Sequence, residues 1–190
     1  MPVSEGSAKV VYGALRATGT RLVAALPESW LTPVIALAQA DPDVTLVEVA
    51  KEEEAVGVAM GAHLAGTRAA VLMQNHGLLA SVNGVVSGAL LYRIPLLLVV
   101  SDRGYLGETD PWQTEGGKAT RRVLDALGIV WDELSRTEEV ERRVGDAAVL
   151  AESSLSPVAL LLTRRLMCPG PGMSSYEPGA RGVPEEADAR

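Results

Sequence analysis

Val44-Thr-Leu-Val-Glu-Val-Ala-Lys-Glu-Glu-Glu-Ala-Val-Gly-Val-Ala-Met-Gly-Ala-His-Leu-Ala-Gly66 is the stretch whose reading decides the fold. Its first part, Val44 to Val49, is an apolar run of strand length, read as buried on both faces as in a parallel sheet. Within two residues the chain reaches Glu52, Glu53 and Glu54, and from there to Gly66 it is mostly alanine, glycine and valine. Carboxylates in the first turn of a helix offset the positive end of its dipole, which is the plain reading of all three. A second reading is functional. A helix that starts after a parallel strand starts at the carboxyl edge of the sheet, where open α/β folds bind ligands. Gly57 and Gly61, like Ala55 and Ala59, lie four apart, so another backbone can approach. Each helical glycine costs about 1 kcal/mol relative to alanine, so a packing reason is expected.

Working outward, helix and strand patterns alternate. Helices are expected at 8–18, 31–40, 52–66, 78–92, 120–127 and 137–153, and strands at 22–26, 44–49, 68–74, 95–101, 129–134 and 157–163. This predicts a doubly wound α/β domain, a mainly parallel six-stranded sheet with helices on both faces. The domain spans 1–167; from Cys168 to Arg190 the pattern dissolves into Pro, Gly, Ser, Glu and Ala and reads as a flexible tail.

Composition narrows the class. The chain has 190 residues, 47% of them hydrophobic, and a net charge of −7. That charge disfavours nucleic acid, whose affinity comes from basic side chains on phosphates. Apolar runs are too short and interrupted to span a membrane. No signal peptide is visible, and the single cysteine, Cys168, suits a reducing compartment, so a cytoplasmic location is expected.

Two further strand ends carry candidate chemistry. Gln74-Asn75-His76-Gly77 reads either as a turn with Asn75 capping the next helix or as a ligand loop with a titratable imidazole. After the fourth strand comes a long loop, Ser101 to Gly117, of the kind that is often functional. Its Arg103 can fork onto a carboxylate, sulfonate or phosphonate, or pair with Asp102 or Glu108. His63 reads as a packing or interface residue.

Glu52 with Ala55, Ala59 and Gly61 at fixed distances resembles the pyrimidine-binding (Pyr) domain of thiamine diphosphate enzymes. Glu52 to Gly66, Met73-Gln-Asn-His-Gly77 and Pro95-Leu-Leu-Leu-Val-Val-Ser-Asp-Arg-Gly104 are together similar to the sulfopyruvate and phosphonopyruvate decarboxylase family, over roughly residues 8 to 165. The resemblance implies that Glu52 is catalytic, hydrogen-bonding N1′ of the aminopyrimidine. It implies that Asn75, Gly77 and Leu78 lie on the cofactor, and that His76, Arg103 and Gln113 face an anionic 2-oxo acid. This chain departs from the family's Gln-Asn-Ser-Gly-Leu-Gly-Asn at His76, Leu79 and Ala80, which puts the substrate in question more than the cofactor.

In that superfamily a Gly-Asp-Gly sequence with a downstream asparagine holds the diphosphate through a metal. Here Gly145-Asp146 is followed by Ala147, and no asparagine follows Asn83. The resemblance is therefore to the α subunit of a split enzyme. Thiamine diphosphate would be shared with a diphosphate-binding (PP) β subunit that also holds most of the Mg2+ coordination, giving a hetero-oligomer. A non-catalytic ligand-binding or regulatory relative is the alternative, supported by the altered loop at 76–80. A nucleotide-binding doubly wound protein is disfavoured, because Leu26-Pro-Glu-Ser-Trp30 replaces any glycine-rich phosphate loop.

Overall fold

In the computed structural model, which describes residues 3–169, strands and helices alternate along the chain. They are α1 (Glu5–Ala17), β1 (Leu22–Ala25), α2 (Thr32–Ala40), β2 (Thr45–Glu48), α3 (Glu52–Leu64), β3 (Ala69–Gln74), α4 (Asn75–Ala80) and α5 (Val82–Gly84). A π-helical segment (Val85–Leu90) leads to β4 (Leu97–Ser101), and a 3-10 turn (Pro111–Gln113) leads to α6 (Thr114–Ala126). Then come β5 (Val130–Leu134), α7 (Thr137–Ser154), β6 (Val158–Leu162) and the short α8 (Arg164–Met167). All six strands are parallel, in the order β2-β1-β3-β4-β6-β5. The winding reverses between β1 and β3, so the crevice that such sheets use for ligands opens beyond Ala25 and Gln74.

Alternate residues of each central strand feed two cores. Leu72, Val99 and Leu160 join Val11 and Leu15 of α1, Ile35 of α2 and Val144 of α7 on one face. Met73, Val100 and Leu161 join Val56 of α3, Leu78 of α4 and Leu124 of α6 on the other. No helix among the described residues is long and apolar enough to cross a membrane.

Several expectations change. The run Val44–Val49 is not buried on both faces. β2 is an edge strand whose Thr45 and Glu48 are exposed; α2 packs on it, while α3 crosses back over β1 and β3 and does not cover it. The single helix expected at 78–92 starts earlier, at Asn75, breaks at Ser81 and continues as a π-helical segment. Gly84 and Gly88 explain the close packing there. A Cβ at Gly84 would stand 2.8 Å from Glu53 Cγ, and one at Gly88 would stand 2.6 Å from Met60 Sδ. The close approach expected at Gly57 and Gly61 is not made among the described residues, where both face open space. The sixth helix begins at Thr114 rather than Thr120. Cys168, assigned to the tail, is buried in the first core, while 170–190 lie outside the described residues.

Candidate active site

The three carboxylates at the start of α3 diverge, because successive helix residues point about 100° apart. Glu54 turns back and accepts a hydrogen bond from the Ala50 N–H at 3.1 Å, which closes the helix start. Glu53 is gripped by Lys51 at 2.9 Å and Asn83 at 3.2 Å, and these donors hold its carboxyl below the usual range. Glu52 is different. It is only 9% exposed, and among the described residues it has no hydrogen-bond or ion-pair partner. Its carboxylate oxygens are not among the enclosed, partnerless polar atoms of the described residues, so they open onto the crevice and leave their acceptor sites free for a donor from outside the chain.

What admits Glu52 there is Gly77, in the first turn of α4. A Cβ at Gly77 would lie 2.4 Å from Glu52 Oε1 and 2.6 Å from Cδ. Since α3 lies over β1 and β3, and α4 follows β3 directly, the carboxylate sits at the reversal crevice. The donor it lacks matches a protonated ring nitrogen, so these residues fit the pyrimidine half of a thiamine cofactor.

The other residues singled out from sequence divide. Asn75 is fully buried: its Nδ2 donates to Thr120 Oγ1 at 3.0 Å, and its Oδ1 accepts the Arg103 N–H at 2.7 Å. Its side chain is thus spent on tying β3, β4 and α6 together, and it caps no helix. Leu78 is buried in the second core. Both belong to the first turn of α4, on either side of Gly77 in the chain. His76 is exposed beside that turn, with its ring against Gly116 of α6. Gln113, at the start of α6, has a buried Oε1 with no donor.

Arg103, read as an anion fork, has its fork filled from within. Its Nε donates to Glu108 at 2.8 Å and its Nη2 to Asp110 at 2.7 Å. Its Nη1 donates to Ser29 Oγ at 3.3 Å, and the guanidinium stacks 4.9 Å over Trp30. Glu108 is the hub, also accepting the N–H groups of Gly104, Thr109 and Asp110. Sequence reading named Glu108 only as a pairing option and passed over Trp30 and Ser29. The one signal was the acid five residues after Arg103. Glu28, also passed over, accepts the Leu31 N–H at 2.9 Å, and burial pushes its carboxyl up.

Burial alone would raise the Glu108 carboxyl, but Arg103 and the loop N–H groups outweigh it and bring the pKa to about 2. A depressed carboxylate contributes stability that is present above its unfolded value and is lost as pH falls through the folded one. Glu108→Gln should therefore be less stable than the parent at neutral pH. The two should converge between about pH 5 and about pH 2. Equilibrium unfolding across that window checks this, and parallel curves would show that Glu108 is not the group responsible.

Fold and site together define a ligand-binding domain of the doubly wound α/β class. Residues 7–121 match the family described as thiamine pyrophosphate enzyme, N-terminal TPP binding domain, and the chain belongs to that family. Among its relatives is the sulfopyruvate decarboxylase subunit alpha of Methanococcus maripaludis, 34% identical over 156 residues. That match takes in 82% of this chain and 93% of the relative. The protein of the same name from Methanothermobacter thermautotrophicus is 36% identical over 156 residues, with 82% and 94% covered. A phosphonopyruvate decarboxylase of Streptomyces viridochromogenes is 35% identical over 135 residues, covering 70% of this chain but 34% of that protein. In fold, the chain resembles part of a 2-oxoglutarate:ferredoxin oxidoreductase from Magnetococcus marinus. The TM-score is 0.67 at 19% identity, over 87% of this chain and 31% of that one.

Proposed function

We propose that this chain is the pyrimidine-binding subunit of a split thiamine diphosphate-dependent decarboxylase acting on an anionic 2-oxo acid of the sulfopyruvate or phosphonopyruvate type. The observation that carries the reading is Glu52: a largely buried residue whose carboxylate has no partner among the described residues, seated on Gly77 at the reversal crevice. Thiamine diphosphate, when bound, supplies an electron sink for the bond that releases CO2. Everything else asked of this chain is positioning. Glu52 holds a proton at N1′ of the aminopyrimidine. Gln113 offers its unpaired Oε1 as an acceptor, and His76 faces the anionic end of the substrate. Arg103 serves the site indirectly, by holding the loop around Glu108 rigid.

The diphosphate and its Mg2+ belong, in this reading, to a PP-domain partner, since the chain lacks the Gly-Asp-Gly and downstream asparagine. The outer side of α3 suits such a partner. Gly57 and Gly61 leave open notches, and Leu64, one turn further along α3, is 77% exposed. Titration calorimetry with Mg2+ present tests the proposal. The lone chain should bind thiamine diphosphate weakly or not at all, and the complex with its partner should bind it tightly. A micromolar or better Kd for the lone chain would overturn the split-site reading.

A further inference from the structure

α6 opens with two adjacent glycines, Gly116 and Gly117, which are there for different reasons. At Gly117 a Cβ would meet backbone, 2.4 Å from Gly104 O and 2.5 Å from Arg103 O. At Gly116 its three nearest neighbours would all belong to one side chain, the His76 ring, with Cε1 at 2.6 Å, Nε2 at 2.8 Å and Nδ1 at 2.9 Å. Gly116 is also helical, so backbone freedom does not call for glycine there. The space that its missing side chain leaves is filled by the imidazole. This mirrors Gly77, whose missing side chain seats Glu52. The two ionisable groups beside the first turn of α4 are thus each held by the bare backbone of a glycine.

We infer that Gly116 is a positioning residue that seats the His76 ring and so sets the enzyme's preference for the distal acid group of the substrate. The inference rests on the proposal that His76 faces the substrate, and its two halves are separable by experiment. The neighbour at Gly116 is the far end of a flexible side chain, so Gly116→Ala should fold and push the ring aside. His76 and His63 are the two histidines of the chain, so imidazole nitrogen spectra of the full-length protein read the seat directly, with His63 as internal control.

Gly116→Ala should move the His76 signals and leave those of His63 in place. In a His76→Ser background the same substitution should raise Tm by about 2–4 °C, the gain of alanine over glycine in a helix. With His76 present the gain should be smaller or absent. Unmoved His76 signals, or the same Tm change in both backgrounds, would overturn the seat. In the assembled enzyme, Gly116→Ala should change KM for 2-oxo acids bearing a sulfonate, phosphonate or carboxylate by about tenfold or more, the scale of about 1.4 kcal/mol of contact energy. The kcat and the Kd for thiamine diphosphate should stay within about twofold, and in the His76→Ser background there should be no further KM effect. Moved signals with unchanged KM across that panel would overturn the substrate-facing role of His76 while leaving the seat intact.

Discussion

Glu52→Gln, measured in the assembled enzyme, is expected to lower kcat by at least about 100-fold, the scale on which positioned proton-transfer groups act. The amide keeps the shape that fills the space over Gly77 but cannot carry the carboxylate's charge to a ring nitrogen. Glu53→Gln and Glu54→Gln should cost far less, because their carboxylates are committed elsewhere. Glu53 answers Lys51 and Asn83, and Glu54 closes the helix start on Ala50. Steady-state kinetics on the three variants, with thiamine diphosphate saturating, decides the matter. Full activity in all three would reduce the cluster to dipole compensation and remove the enzymatic reading.

Gly117→Ala is expected to destabilise the fold by about 2–3 kcal/mol, within the range for overpacking a tight contact. The new methyl meets the backbone of Arg103 and Gly104, which Asn75 and Glu108 hold in place from the other side. Alanine's helical advantage of about 1 kcal/mol offsets only part of that. For a domain of this size Tm should fall by about 4–12 °C. Gly77→Ala makes an instructive contrast. Its clash is with the Glu52 side chain, which can swing away, so Tm should change little while kcat falls because the carboxylate is displaced. Thermal unfolding and kinetics on the same two preparations separate the effects; a stable Gly117→Ala would mean that the loop base yields more easily than its contacts suggest.

Much of this protein was legible in its sequence, because the decisive signals are local. Strand-length apolar runs alternating with helical patterns specify a parallel sheet clothed on both faces, and the glutamates after Val49 mark a helix start at its carboxyl edge. Glu52 itself was singled out by resemblance, through the family spacing of Ala55, Ala59 and Gly61 after it. What sequence left open depends on which surfaces meet. The run Val44–Val49 reads the same at an edge as in the middle of a sheet, and only the path of α3 over β1 and β3 leaves β2 half-exposed. Arg103 carries the same five donors whether a ligand or Glu108 answers them, and loop geometry made it Glu108. The glycines are the clearest case. A glycine records that a side chain is missing, not what stands in its place. Packing of α3 and α6 against α4, α5 and the π-helical segment turned Gly77, Gly84, Gly88 and Gly116 into seats for Glu52, Glu53, Met60 and His76, and left Gly57 and Gly61 open.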